Sequence, residues 1–311
     1  LMVYVIGHKN PDTDSICSAI GYAAYKSEVT GEKHVARRAG DVNPESQFVL
    51  DRFGLDAPEF LENAAGEELI LVDHNEKTQC VDGFEEAEIL EIIDHHRLGN
   101  IETNSPVFFR NQPVGCTATI ITQMYMENNI EIPEKIAGML CSAILSDTLM
   151  FRSPTCTLSD KMAAGALALI AGINIEQFAR EMFKAGSNLK DKSPEEIFYQ
   201  DYKKFIAEDE ISFGVGQISS MDSDELIEIK ERLIPFMVSE CGRHGVSRVF
   251  FMLTNIIEES TELLYYGEGS EEMASTAFHM EPKDGVFDLK GVVSRKKQLI
   301  PALMEAAQAG Q

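Results

Sequence analysis

A chain of 311 residues, 44% hydrophobic and 25% charged, has the make-up of a folded protein large enough for two domains rather than of a disordered one. Its 51 acidic and 27 basic residues give a net charge of −24, which argues against broad nucleic-acid binding but not against a small polyanion met by locally gathered positive charge. No apolar stretch reaches the ~20 residues of a membrane span, no basic-then-apolar signal opens the chain, and the six cysteines, scattered without CxxC spacing, read as reduced thiols; the expectation is a soluble, cytoplasmic protein.

In chain order, short apolar runs predict strands at Met2–Gly7, His34–Arg38, Glu68–Asp73, Ile89–Asp94 and Val107–Arg110. Amphipathic or apolar helical patterns cover Ser15–Glu28, Pro44–Phe53, Thr117–Asn128, Pro133–Phe151, Ser159–Ala171 and Ile175–Ala185. Strands that are continuously apolar and alternate with helices predict a mainly parallel sheet covered on both faces, whose ligands gather beyond the strands' carboxyl ends. The polar, turn-prone segment "AGSNLKDKSP" reads as a linker, which divides the chain into domains at 1–186 and 194–311 with 187–193 between them. The second, smaller domain is expected to be α/β with a mixed sheet. Its strand candidates are "ISFGVGQIS", "SRVFFMLTNI" and "ELLYYG", and its helices are expected at Asp224–Cys241 and Arg295–Ala307.

Three of the predicted strands end alike, in "VYVIGH", "LILVDH" and "LEIIDHH". Their termini carry His8, Asp73–His74 and Asp94–His95–His96, and the first loop adds Asp12 and Asp14. If the strands are neighbours, these side chains meet at one edge of the sheet. Asp147 interrupts an otherwise apolar helix in "GMLCSAILSDTLMF" and needs a partner there. Taken singly, a loop Asp is usually a turn former or cap and a strand-end His a hydrogen-bonded core residue; the joint pattern points to metal. Without thiolates, a zinc finger or iron–sulfur site is disfavoured. Carboxylates alone would suit Mg²⁺ or Ca²⁺, and imidazoles shift the preference toward Mn²⁺, Co²⁺ or Fe²⁺. Four Asp and two His are too many ligands for one ion and enough for two. A two-metal site holds an attacking oxygen between its ions and lowers its pKa, as displacement at phosphorus requires. Counter-charge for phosphate is offered by Arg295, Lys296 and Lys297 of "GVVSRKKQLIP", which start a helix after a strand. Lys203 in "DYKKF" is indistinguishable from a surface lysine on these grounds.

The motifs "GHKNPDTDS", "LVDHNE", "IDHHR", "PVGCTATI", "SAILSDTLMF" and "GVVSRKKQ" resemble, in order and along the whole chain, those of the family II inorganic pyrophosphatases of the DHH phosphoesterase superfamily. The resemblance implies a DHH-type catalytic domain followed by a DHHA2-type substrate-binding domain. It also implies hydrolysis of pyrophosphate to two phosphates in a two-metal site, with the second domain closing over the substrate. In that scheme His8 and Asp12 hold one metal, Asp14 and His95 the other, and Asp73 and Asp147 bridge or serve both. His96 faces the substrate and assists the leaving phosphate as an acid, while Lys203, Arg295 and Lys296 grip pyrophosphate. His74, Asn75 and Asp94 match the motifs as supporting residues. The implied cofactors are two Mn²⁺ per subunit, replaceable by Co²⁺, with Mg²⁺ accompanying the substrate. The implied assembly is a homodimer through the first domain, with no nucleic acid or membrane partner. With His95 present and no room between the motifs, an inserted nucleotide-binding regulatory domain is not expected. The alternatives are an exopolyphosphatase, another DHH phosphoesterase acting on short nucleotides (whose "GGGH"-like motif is missing here), or a metal-dependent sensor without turnover.

Overall fold

The computed structural model describes residues 2–187, 189–207 and 211–309, which form two compact units, Leu1–Gly186 and Ser187–Gln311. In the first, strands β1 (Val3–Ile6), β2 (His34–Arg38), β3 (Glu59–Phe60), β4 (Glu68–Val72), β5 (Glu88–Asp94) and β6 (Phe108–Asn111) form one six-stranded sheet. Its order is β3-β2-β1-β4-β5-β6, and every pair is parallel. The chain runs outward from β1 to β3, then returns to lay β4 on the other side of β1, so β1 and β4 flank the point where the winding reverses. Side chains and helix ends diverge there and leave a crevice at the strands' carboxyl ends. Both faces of the central strands are covered, since Leu69, Ile70, Leu71 and Val72 are all inaccessible to solvent.

Helices α1 (Thr13–Thr30), α2 (Pro44–Phe53), α3 (Thr117–Glu127), α4 (Glu134–Asp147), α5 (Leu158–Ala171) and α6 (Ile175–Ser187) complete this unit. Tight turns deliver two of them to the crevice. Gly7 follows β1 because a Cβ there would lie 2.6 Å from that of Ser15; α1 can therefore start close against the end of the strand. Helix α4 ends at Asp147, four residues earlier than the apolar pattern of "TLMF" suggests. Leu149, Met150 and Phe151 then adopt positive φ angles of 50°, 51° and 71°, which turn the chain sharply away. Apolar side chains give no warning of such a turn.

The second unit contains α7 (Pro194–Gln200), β7 (Tyr202–Ile206), β8 (Ser212–Ser220), α8 (Ser223–Glu240), β9 (Arg248–Asn255), β10 (Ser260–Tyr266), α9 (Ser270–Phe278), β11 (Phe287–Lys290) and α10 (Ile300–Ala309), the last entered through a π-helical turn at Arg295–Leu299. Its sheet, ordered β11-β10-β9-β8-β7, is mixed: β8 and β9 are parallel and joined by α8, and the remaining pairs are antiparallel. One face packs Phe213, Phe250, Met252 and Phe287 against α9 and α10, through Met273 and Leu303. The other packs Phe251, Leu253 and Leu264 against Ile197 and Phe198 of α7 and Leu233 and Met237 of α8. Strands β3, β7 and β11 and helices α7 and α9 carry too little periodic signal to be read in advance. Among the described residues no single helix is long and apolar enough to cross a membrane, and the six cysteines are free thiols.

Candidate metal centre and substrate-binding cations

The crevice beyond β1, β4 and β5 collects all six expected metal ligands. Asp12 is the N-cap of α1, its Oδ1 accepting from the Ser15 amide at 2.9 Å. Asp14, in the first turn of α1, is buried and accepts from Ser18 Oγ at 2.6 Å. It also receives the amides of Thr117 (2.9 Å) and Ala118 (3.2 Å) at the N-terminus of α3, where a carboxylate complements the helix dipole. Asp73 follows β4 with a φ of 65°, a left-handed conformation that Asp tolerates better than most residues. Its carboxylate accepts from Ser15 Oγ at 3.1 Å and Thr117 Oγ1 at 3.2 Å.

The imidazoles reach these carboxylates through Nε2. His8 Nε2 is 3.3 Å from Asp73 and 3.5 Å from Asp12. His95 Nε2 is 3.2 Å from Asp73, 3.6 Å from Asp147 and 3.7 Å from Asp14. Each ring turns Nδ1 the other way, toward a main-chain carbonyl: Lys9 at 2.6 Å for His8 and Val114 at 2.9 Å for His95. An Nδ1 proton given to a carbonyl leaves the Nε2 lone pair for a metal, the usual way a protein fixes a ligand's tautomer.

Two ligand groups result. One atom each from His8, Asp12 and Asp73 lie within 4.8 Å of one another, as do atoms from Asp14, Asp73, His95 and Asp147. Asp73 is the member common to both. Asp147, expected to bridge or serve both, lies in the group with Asp14, Asp73 and His95. Asp73, His95 and His96 form a further such group, but His96 Nδ1 is engaged by the buried Asp94 at 2.7 Å. The His96 side chain is 46% exposed.

The electrostatics show what the cluster needs. Burial opposes charge on His8 and His95, but hydrogen bonds and charges from Asp73, joined by Asp12 or Asp14, prevail and raise them to about 11 and about 10. Burial pushes the Asp73 carboxyl up, yet the two imidazoles hold it well below the usual carboxylate range. Burial and then Asp73 raise Asp14 to about 7, and burial with Asp14 and Asp12 raises Asp147 well above its ordinary value. Carboxylates this close hoard protons as substitutes for cations. The residues therefore fit a divalent metal, and the oxygen-plus-imidazole donor set suits Mn²⁺ or Co²⁺. Cys17 and Cys116 are held well up as thiols by burial and the nearby carboxylates, so thiolate ligation is disfavoured.

The supporting motif residues have separate tasks. Asn75 donates to Asp94 at 2.5 Å and to the Arg97 carbonyl at 3.0 Å, and accepts from the Gly99 amide, which pins the loop after β5. His74 is buried, with Nδ1 2.8 Å from the Val72 carbonyl, and belongs to neither ligand group. Asp160 completes the capping box of α5 with the N-cap Thr157 and accepts from the Gly115 amide and Thr119 Oγ1, holding the start of α3 where it meets Asp14. The hydrogen bonds that Ser15 and Thr117 give to the carboxylates escaped sequence reasoning. "PVGCTATI" marked the first turn of α3, but hydroxyls of this kind carry no chemistry legible by type.

In the second unit Arg295 is 9% exposed. Its guanidinium donates to the carbonyls of Asp201 (2.6 Å) and Val215 (3.1 Å) and to Asp201 Oδ1 (2.6 Å). Val215 pairs with Lys203 across β7 and β8, so Arg295 is brought to the strand that carries Lys203. Lys203 and Lys296 are exposed and make no ion pair among the described residues. Ser294 caps the turn by accepting from the Lys297 amide, and Gln298 receives the Val293 and Ser294 amides. Much of "SRKKQ" thus shapes its own loop and leaves Lys296 open.

A family model described as "DHH family, N-terminal domain" matches residues 2–144, and one described as "DHHA2 domain" matches residues 180–306. A Clostridium acetobutylicum protein named "Probable manganese-dependent inorganic pyrophosphatase" is 46% identical over 308 residues, 99% of this chain and 98% of that one. A protein of the same name from Oceanobacillus iheyensis is 43% identical over 303 residues, 97% of each. A crystal structure described as a "putative family II inorganic pyrophosphatase" from Methanococcus jannaschii shares 42% identity at a TM-score of 0.75, covering 99% of this chain and all of that one. With likeness of this extent over nearly the whole length, the chain belongs to the family II, manganese-dependent inorganic pyrophosphatases of the DHH superfamily.

Proposed function

We propose that the protein hydrolyses inorganic pyrophosphate to two phosphates, with His8, Asp12 and Asp73 holding one metal and Asp14, Asp73, His95 and Asp147 a second. The observation that carries this reading is the single carboxylate, Asp73, common to two adjoining nitrogen-and-oxygen ligand groups. Two Mn²⁺ ions, or Co²⁺ in their place, would supply Lewis acidity, making water a competent nucleophile near neutral pH and neutralising phosphoryl charge. His96, oriented through Nδ1 by Asp94, offers its other nitrogen as an acid to the departing phosphate. Lys203, Arg295 and Lys296 bind the phosphoryl oxygens, accompanied by Mg²⁺, and the second domain closes over the substrate about residues 187–193 to exclude water. The strongly acidic surface supports a small-anion substrate over nucleic acid, and the reading extends to a cytoplasmic homodimer formed through the first domain and without a membrane partner.

Comparing phosphate release from pyrophosphate, tripolyphosphate and a dinucleotide by Mn²⁺-loaded protein tests the assignment. Pyrophosphate is expected to be split fastest. A preference for tripolyphosphate would make the protein an exopolyphosphatase, and no turnover of any substrate would leave only a metal-binding role.

A further inference from the structure

Glu45 occupies the first turn of α2, where an acidic residue ordinarily points to solvent and complements the helix dipole. Here the side chain turns inward. Its Oε1 accepts from Thr13 Oγ1 and from Ser146 Oγ, both at 2.5 Å. Thr13 lies between Asp12 and Asp14, and Ser146 immediately precedes Asp147. One oxygen atom therefore joins the N-terminus of α1 to the C-terminus of α4, the two helix ends that carry three of the six expected ligands. Behind it α6 packs down on the stem of Glu45. A Cβ at Gly186 would lie 2.9 Å from the Glu45 Cβ, so the side chain has little room to swing away. After Thr148 the chain turns away through the left-handed residues Leu149, Met150 and Phe151, and the Ser146–Glu45 bond ties this helix end to α1 in addition to the main-chain bonds from Thr148 and Met150 that close it.

We propose that Glu45 is a positioning residue for the metal centre: through Thr13 and Ser146 it sets the spacing between the Asp12/Asp14 and Asp147 ligands. The inference rests on the two-metal reading above and concerns how its ligands are held. Because both hydroxyls donate to one oxygen, position and not charge is what Glu45 supplies, and a glutamine carbonyl can accept the same bonds.

Direct Mn²⁺ binding to the full chain without pyrophosphate, read from the EPR signal of the free ion, tests this. Glu45→Ala is expected to weaken the Asp14/His95/Asp147 site about 10- to 100-fold, the usual effect of removing a group that orients a ligand. Glu45→Gln is expected to bind within about threefold of the unmodified chain, because the amide oxygen restores both acceptor contacts. Ser146→Ala should weaken the same site in the unmodified chain and change nothing further in the Glu45→Ala background, since the two residues act as one unit. Unchanged binding in Glu45→Ala, equal loss in Glu45→Gln, or additive losses with Ser146→Ala would each overturn the assignment. Should Glu45→Ala fail to fold by circular dichroism, the contrast between Ser146→Ala and Glu45→Gln decides it alone. A chain that binds two Mn²⁺ but does not split pyrophosphate would refute the proposed reaction and leave this inference standing.

Discussion

The ligand crevice of the first unit and the cationic loop of the second are built on opposite plans. In the crevice almost every functional atom is already held: Asp14 by two amides and a hydroxyl, Asp73 by two hydroxyls, and His8 and His95 each by a carbonyl behind the ring. In the cationic loop one group, Arg295, is buried and hydrogen-bonded to Asp201 and Val215, while Lys203 and Lys296 stand exposed. Metal ligation tolerates little misplacement, so its donors are fixed before the ion arrives. A lysine gripping phosphate is a point charge on a flexible stem and can adjust to it. Arg295 lies between the two plans, a cation whose fixed fork also holds its own sheet together.

That contrast is broken most severely at Asp73. Asp73→Asn should cost on the order of 10²–10³-fold or more in pyrophosphate turnover, as loss of a principal electrostatic element does, and should strip manganese from both ligand groups. Asp147→Asn should also remove most activity but keep the ion held by His8, Asp12 and Asp73. Metal analysis showing equal losses in the two variants would mean that Asp147 serves both groups after all.

Smaller effects separate the two cations. Lys296→Ala should keep its full metal content and, as an exposed substitution, melt within about 0.5 kcal/mol of the unmodified chain, while the apparent KM rises about tenfold, equivalent to ~1.4 kcal/mol of lost binding. Arg295→Ala should raise KM and also destabilise the fold by about 1–3 kcal/mol, because the carbonyls of Asp201 and Val215 lose a buried donor. Identical melting of the two variants would deny Arg295 its structural role.

The pH dependence of the metal-free protein is the mildest test. His8 and His95, raised to about 11 and about 10 chiefly by carboxylates that outweigh burial, contribute stability in full below 6.5 and lose it as pH climbs through those values. Asp14, raised to about 7, contributes below 3.8 and loses its share as pH climbs through 7. Both act in the same direction, so the Tm of chelator-treated protein should fall between pH 6.5 and 9, and the gain on adding Mn²⁺ should grow over that range. A Tm that rose with pH would place the excess protons elsewhere.

Much of this was legible because burial makes polar residues conspicuous. An apolar strand ending in His or Asp marks its own carboxyl end, which is how His8, Asp73 and His95 could be found, and Asp147 stood out inside an apolar helix. The parallel sheet followed from continuous apolar runs, and the mixed sheet from the change of texture beyond residue 194. What stayed hidden depends on contacts between distant segments. Glu45 reads as an ordinary first-turn acid until Thr13 and Ser146 are seen against it. Arg295 reads as a free cation until Asp201 is. The early end of α4 is written in left-handed backbone at Leu149, Met150 and Phe151, residues with no preference for it.

Anomalous scattering from crystals grown with Mn²⁺ tests the central claim most directly. Two manganese peaks with Asp73 bonded to both, one completed by His8 and Asp12 and the other by Asp14, His95 and Asp147, is the predicted result. A single peak, or two that do not share Asp73, would contradict it.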